Sequence, residues 1–222
     1  MPGEPRPQIK FCGLTRHEDA LAAATAGGAY LGVIFAGGPR LVTAAQARTV
    51  LAGLSSVRRV GVFGAQPAAA IGAAARAAGL DVVQLHGDPD AASVEAARAH
   101  FGGEVWAVVR IADDRVPEHL ASLFAAADAV VIDAFVPGAL GGTGRAVPWD
   151  AVRPALDRAR SAGLARTVLA GGLTPGNVAT AIRHLAPDIV DVSSGVESAP
   201  GIKDPALLHA FGEAVRTSTR ET

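Results

Sequence analysis

Thr167-Val-Leu-Ala-Gly-Gly-Leu-Thr-Pro-Gly-Asn177 and Ile189-Val-Asp-Val-Ser-Ser-Gly-Val-Glu197 lie about twenty residues apart and share one design. Each is a short apolar run that breaks into Gly or Ser and then heads towards a helix. Such a turn leaves backbone N–H groups free and brings the positive end of a helix to the same point, which suits an anion. Two in succession read as consecutive strand–helix units that share a phosphate cradle. The ligand expected there is a phosphorylated small molecule.

Outward from this pair the same unit recurs along the chain. Apolar runs suited to strands occur at Gln8–Cys12, Tyr30–Phe35, Arg59–Phe63, Val82–His86, Val105–Arg110, Ala129–Asp133, Thr167–Ala170 and Ile189–Val192. Between them His17–Ala26, Thr43–Leu54, Ala68–Ala78, Pro89–His100 and Asn177–Leu185 carry Ala, Leu and Arg at helical spacing. Asp113, Asp114 and Pro117 punctuate the segment after Arg110 and make it a poor helix. Strands alternating with helices imply a parallel sheet covered by helices. Eight such units in 222 residues predict a single-domain (β/α)₈ TIM barrel over residues 8–217, in preference to an open doubly wound sheet. In such barrels the loops after strands seven and eight often hold phosphate, with a short extra helix after strand eight.

Composition narrows the function classes. Half of the residues are apolar and 18% are charged, enough for a large core. A net charge of −1 without clustered Lys and Arg argues against a nucleic-acid partner. No apolar run approaches the roughly 20 residues that span a bilayer. Residues 1–7 hold three prolines and no apolar segment, which reads as a loose amino terminus rather than a signal peptide, and residues 218–222 read as a tail. One cysteine excludes an internal disulfide and agrees with a cytoplasmic setting. Monomer and homodimer both remain open.

Side chains alternate between the two faces of a strand, so parity sorts the polar groups. Gln8, Lys10 and Cys12 share one face of the first strand, leaving Ile9 and Phe11 to the helices. The same test aligns Gln84 with His86, Val131 with Asp133, and Ile189 with Asp191, at or near the carboxyl ends where barrel chemistry sits. Cys12 beside Lys10 suits a base or nucleophile, although a free cysteine is often a small buried hydrophobe. Asp133 ends an apolar strand, so burial would raise its pKa and let it donate a proton; capping the next element is the plainer role. A thiol base and a carboxylic acid at one barrel mouth suit proton shuttling, as an isomerase requires.

Other candidates serve binding. Gly141, Gly142 and Gly144 allow a ligand to approach the backbone, or form a lid or a mere surface loop. Arg40, after the second strand, is placed to pair with a substrate carboxylate or to face solvent. Among six histidines only His86 falls at a strand end, and no spacing suits metal ligands, so no metal is expected. His86 is placed either to orient a ligand or to bond within the rim.

Lys10-Phe-Cys-Gly-Leu-Thr-Arg16, Arg59-Val-Gly-Val-Phe63, Val83-Gln-Leu-His-Gly87, Ile132-Asp-Ala134, Gly141-Gly-Thr-Gly144, Leu169-Ala-Gly-Gly-Leu-Thr-Pro175, Asp191-Val-Ser-Ser-Gly-Val-Glu197 and Gly201-Ile-Lys-Asp204 together resemble the phosphoribosylanthranilate isomerases of tryptophan biosynthesis. The resemblance spans almost the whole chain. It implies a (β/α)₈ barrel without cofactor or metal. The implied reaction is an Amadori rearrangement with Cys12 as general base and Asp133 as general acid. It further places the substrate carboxylate on Arg40, other substrate groups near His86, Gly142, Thr143 and Asp191, and the phosphate on Gly171, Gly172, Ser194 and Gly195.

Three stretches depart from the family pattern. Gly38-Pro-Arg40 replaces Ser-Pro-Arg, Trp106-Ala-Val108 replaces Ile-Lys-Ala, and Val147-Pro-Trp149 replaces Phe-Asp-Trp. These bear on substrate fit and loop closure rather than on proton transfer. A phosphosugar epimerase, a phosphate-ester synthase, a non-catalytic metabolite-binding barrel, and an isomerase serving secondary metabolism are the competing readings.

Overall fold

Parity along the first strand survives in three dimensions: Ile9 and Phe11 join the apolar layer under the helices, and Lys10 points inward with its side chain fully buried. The computed structural model describes residues 6–111, 116–133 and 149–218. Eight parallel strands close on themselves in sequence order. They are β1 (Gln8–Phe11), β2 (Gly28–Ile34), β3 (Arg58–Phe63), β4 (Val82–Leu85), β5 (Glu104–Arg110), β6 (Ala129–Asp133), β7 (Arg166–Ala170) and β8 (Ile189–Val192). The helices are α1 (His17–Thr25), α2 (Ala44–Val50), α3 (Ala68–Ala78), α4 (Ala91–Arg98), α5 (Leu120–Ala126), α6 (Trp149–Arg160), α7 (Val178–Leu185) and α8 (Pro205–Thr217). Among the described residues no helix is long and apolar enough to cross a membrane.

Closure builds two separate cores. The outer one lies between sheet and helices, where alanines such as Ala20, Ala23, Ala47 and Ala75 are fully buried and let helix backbones approach the strands. The inner one fills the barrel with Tyr30, Val60, Val82, Trp106, Val108, Ala129, Val131, Val168, Ala170 and Ile189. Tyr30 and Trp106 meet near the amino-terminal end with ring centroids 5.0 Å apart. Trp106 donates to Glu104 at 2.9 Å, and Arg166 bonds both Glu104 and the Tyr30 hydroxyl at 2.5 Å. Trp106, one of the departures from the family pattern, therefore belongs to the floor of the barrel and not to the opening where chemistry sits.

An aspartate fastens three of the strand pairs at that same end. Asp81, Asp128 and Asp188 each stand one residue before an even-numbered strand. Each accepts a hydrogen bond from the second backbone N–H of the strand before it: Arg59 at 2.9 Å, Val105 at 2.8 Å and Thr167 at 2.7 Å. The contact satisfies a donor at the strand start that would otherwise need water.

The opposite end carries what the apolar pattern did not foretell. After β8 come a single 3₁₀ turn at Ser194–Val196 and a small antiparallel hairpin, β9 (Glu197–Ala199) and β10 (Ile202–Lys203). The turn is the short extra helix expected after strand eight; the hairpin is additional. Asp204 then caps α8 by accepting from Ala206 and Leu207, with Pro205 at the first helical position.

Candidate active site

A cavity of about 410 Å³ opens at the carboxyl end of the barrel. Its walls bring together Cys12, His86, Asp133, Gly171, Gly172, Asp191, Ser194 and Gly195, every one an expected site residue. Gly142 and Thr143 fall outside the described residues. Arg40 stands beside the cavity. Its side chain passes over Gly13, the residue after Cys12.

Register explains the chemistry at the seam. Where β1 closes on β8, Lys10 lies directly opposite Asp191, and the ammonium donates to Oδ2 at 2.6 Å. Burial pushes the Lys10 pKa down, but Asp191 and then Cys12 outweigh it, and the net direction is up. Cys12 follows β1 and donates its backbone N–H to Val192 at 2.9 Å, which fixes its position in the rim. Burial pushes the thiol above its ordinary 9.0, opposed first by the charge of Lys10. Cys12 is therefore a shielded thiol beside the Lys10 cation.

Asp133 is three strand positions from Cys12 around the ring, through β8 and β7. Burial lifts its pKa above the ordinary 3.8, and His86, with Nε2 3.9 Å away, opposes the rise. The same burial lowers the His86 pKa, with Asp133 opposing. A neutral imidazole beside a proton-holding carboxyl is the arrangement these shifts favour. Gln84 Oε1, His86 Nδ1 and Asp191 Oδ1 are buried without a hydrogen-bond partner among the described residues. All three residues line the cavity. A polyhydroxylated ligand would satisfy them, because buried polar groups are otherwise costly.

The two loops expected to cradle phosphate are locked together. Gly171 and Gly172 take positive φ of 92° and 63°, turning the chain at the end of β7. The amide of Asn177 then ties that loop: Oδ1 accepts from the Thr174 N–H at 2.8 Å and Nδ2 donates to the Gly172 carbonyl at 3.0 Å. Any Cβ on Gly195 would be driven into the Leu173 carbonyl oxygen, so only glycine lets the two loops pack. Among the described residues the N–H groups of Gly171, Gly172, Ser194 and Gly195 donate to no other part of the chain.

Arg40 has a protein partner that sequence reasoning missed. Glu197, at the start of β9, binds it through two hydrogen bonds, and Lys203 of β10 bonds the same carboxylate at 2.8 Å. Burial raises the Glu197 pKa, but the hydrogen bonds from Arg40 and Lys203 prevail and hold it below the ordinary 4.5. Both residues lay inside recognised segments, yet nothing in their spacing links them to Arg40. Among the described residues no three His, Cys, Asp or Glu side chains gather as a metal ion would require.

The model of the N-(5'-phosphoribosyl)anthranilate (PRA) isomerase family matches residues 9–214. The N-(5'-phosphoribosyl)anthranilate isomerase of Pseudomonas fluorescens Pf-5 is 42% identical over 216 residues, covering 96% of this chain and 98% of that protein. The crystal structure of phosphoribosyl anthranilate isomerase from Thermotoga maritima superimposes with a TM-score of 0.84 at 31% identity, covering 95% of this chain and 98% of that one. A phosphoribosyl anthranilate isomerase in complex with reduced 1-(o-carboxyphenylamino)-1-deoxyribulose 5-phosphate superimposes with a TM-score of 0.81 at 30% identity, with coverage of 95% and 98%. With barrel, cavity and sequence in agreement from β1 to α8, this chain belongs to the N-(5'-phosphoribosyl)anthranilate isomerase family.

Proposed function

We propose that the chain catalyses the Amadori rearrangement of N-(5-phosphoribosyl)anthranilate to 1-(2-carboxyphenylamino)-1-deoxyribulose 5-phosphate, with Asp133 as general acid and Cys12 as general base. The observation that carries the assignment of roles is that a buried thiol and a buried carboxyl face one cavity, each with its pKa raised. A raised carboxyl holds a proton to give, and the Cys12 sulfur, when ionised beside the Lys10 cation, takes one.

Asp133 donates its proton to the ribose ring oxygen. The bond from that oxygen to C1′ breaks as the nitrogen lone pair forms a Schiff base. The iminium acidifies the C2′ proton, which Cys12 removes, and the electron pair moves to give an enolamine. Tautomerisation moves a proton to C1′, replacing the one Cys12 took, while the C2′ hydroxyl gives up its proton to replace the one Asp133 gave and becomes a ketone, so the net change is ring opening with a hydrogen shift from C2′ to C1′. Each positioned proton transfer contributes about 10²–10⁴-fold.

Binding follows the cavity walls. The phosphate sits on the N–H groups of Gly171, Gly172, Ser194 and Gly195. Sugar hydroxyls meet the unpartnered atoms of Gln84, His86 and Asp191. Arg40 meets the anthranilate carboxylate, and Gly142 and Thr143 contribute from the loop after β6. On this reading the protein works in the cytoplasm on a small phosphorylated metabolite, without metal, cofactor or nucleic acid, as a monomer or a homodimer.

The deciding experiment follows the loss of substrate fluorescence with phosphoribosylanthranilate made in situ from anthranilate and phosphoribosyl pyrophosphate. Wild type is expected to outpace spontaneous hydrolysis and to yield the ketose, and Asp133→Asn to abolish the difference. No enzyme-dependent loss from folded wild-type protein would overturn the reading.

A further inference from the structure

The charges behind Arg40 do not balance. Glu197 grips the guanidinium side-on, accepting from Nε at 2.8 Å and from Nη2 at 2.5 Å. Its Oε1 also accepts from Lys203 Nζ at 2.8 Å, and the same ammonium donates to the Ser193 carbonyl at 3.0 Å. The Lys203 side chain is fully buried, and that of Glu197 is only 5% exposed. Two cations therefore enclose one anion, an excess of one positive charge that an anionic ligand would neutralise. The side-on grip uses two of the five guanidinium donors. Among the described residues the end-on edge, Nη1 with the remaining Nη2 proton, donates to nothing, and it suits a second carboxylate bound through both oxygens.

Backbone contacts hold this grip beside the base. A Cβ on Gly13 would lie 2.6 Å from Arg40 Cδ and 2.8 Å from Ser193 Oγ, so the arginine stem rests on the residue after Cys12. The hairpin that carries Glu197 and Lys203 is strapped to the first loop and α1. Thr15 Oγ1 donates to the Gly201 carbonyl at 2.6 Å, and the Lys203 N–H donates to Asp19 Oδ2 at 3.0 Å.

We propose that Glu197 and Lys203 are positioning residues of the anthranilate subsite. Glu197 turns the Arg40 guanidinium so that its end-on edge receives the ring carboxylate, and Lys203 holds Glu197 from behind. The proposal rests on the reading that Arg40 meets that carboxylate. It makes recognition of the ring carboxylate depend on a hairpin that touches no reacting atom.

The test compares inhibition by two analogues: reduced 1-(o-carboxyphenylamino)-1-deoxyribulose 5-phosphate and its counterpart without the ring carboxylate. The ratio of their inhibition constants is read for wild type, Arg40→Ala, Glu197→Gln, Glu197→Asp and Lys203→Met, each checked for native circular dichroism. Wild type is expected to prefer the carboxylated analogue, and Glu197→Gln and Lys203→Met to lose at least about tenfold of that preference with little change for the other analogue. Glu197→Asp, which keeps the charge but shortens the reach, is expected to fall between and serves if the other variants do not fold. If Arg40→Ala keeps the preference, the underlying reading of Arg40 fails. If Arg40→Ala removes the preference while the Glu197 and Lys203 variants keep it, or weaken both analogues equally, the positioning role alone is overturned.

Discussion

The ammonium of Lys10 and the carboxylate of Asp191 meet at 2.6 Å across the seam where the barrel closes, yet only Asp191 reaches the cavity. Lys10 is wholly buried. Asp191→Ala would strand that charge, and breaking a buried pair in this way costs about 3–5 kcal/mol. Lys10→Met is expected to cost less, because the remaining carboxylate lines an open cavity where it can be hydrated. Urea denaturation of both variants checks this, and equal losses would contradict the asymmetry.

Activity against pH should follow the two proton-transfer groups. The Asp133 pKa is raised from 3.8 and the Cys12 pKa from 9.0, both chiefly by burial. The productive form, with acid protonated and thiol ionised, is the minority tautomer of the singly protonated pair, so its share stays constant between the two values. The profile of kcat/KM is therefore expected to be a bell whose acid limb lies above 3.8 and whose alkaline limb lies above 9.0, read at constant ionic strength.

The same shift has a stability sign. Asp133 binds its proton more tightly folded than unfolded, so stability falls as pH rises from its ordinary value through its folded one. Above that window its charge is a fixed burden. Asp133→Asn is expected to lose about 10²-fold or more in kcat while gaining about 0.5–2 kcal/mol near neutral pH. Thermal melts beside turnover assays decide it; a destabilised variant would count against the burial argument.

The aspartates at the amino-terminal rim act on separate strand pairs. Loss of a hydrogen bond to a charged acceptor costs about 1.5–3 kcal/mol, and independent sites add within about 0.5 kcal/mol. Asp128→Ala and Asp188→Ala are each expected to lower stability by such an amount, to sum in the double variant, and to leave kcat unchanged. Chemical denaturation and steady-state assays check both halves.

Gly195→Ala should act on the phosphate cradle alone. Its methyl group would push apart the loops after β7 and β8. KM for the phosphorylated substrate is expected to rise about tenfold or more, with affinity for free anthranilate unaffected.

Much of this architecture is legible in the sequence. Ala68–Ala78, Ala129–Asp133 and Ile189–Val192 coincide with α3, β6 and β8, and the other strands differ from their expected bounds by one or two residues at one or both ends. Period-two parity within short strands was enough to send Lys10, Gln84, His86, Asp133 and Asp191 to the inner face. The β9–β10 hairpin was not legible, because strands of three and two residues carry no periodicity. Nor was the pairing of Arg40 with Glu197, 157 residues apart, since closure of a barrel brings together positions that local patterns never relate. Trp106 reads from sequence as a change near the substrate, and only its place along β5 shows that it fills the floor.

That hairpin also orders the chain in time. Lys10, Cys12 and Arg40 leave the ribosome well before the partners that seat them, Asp191 and Val192 of β8 with Glu197 and Lys203 of the hairpin. A nascent chain that ends before β8 holds the Lys10 ammonium and the Arg40 guanidinium with neither of their carboxylate partners. Competence to turn over substrate therefore arrives in one late step of synthesis, and carboxyl-terminal truncations reaching the hairpin should abolish function before they dissolve the first half of the barrel.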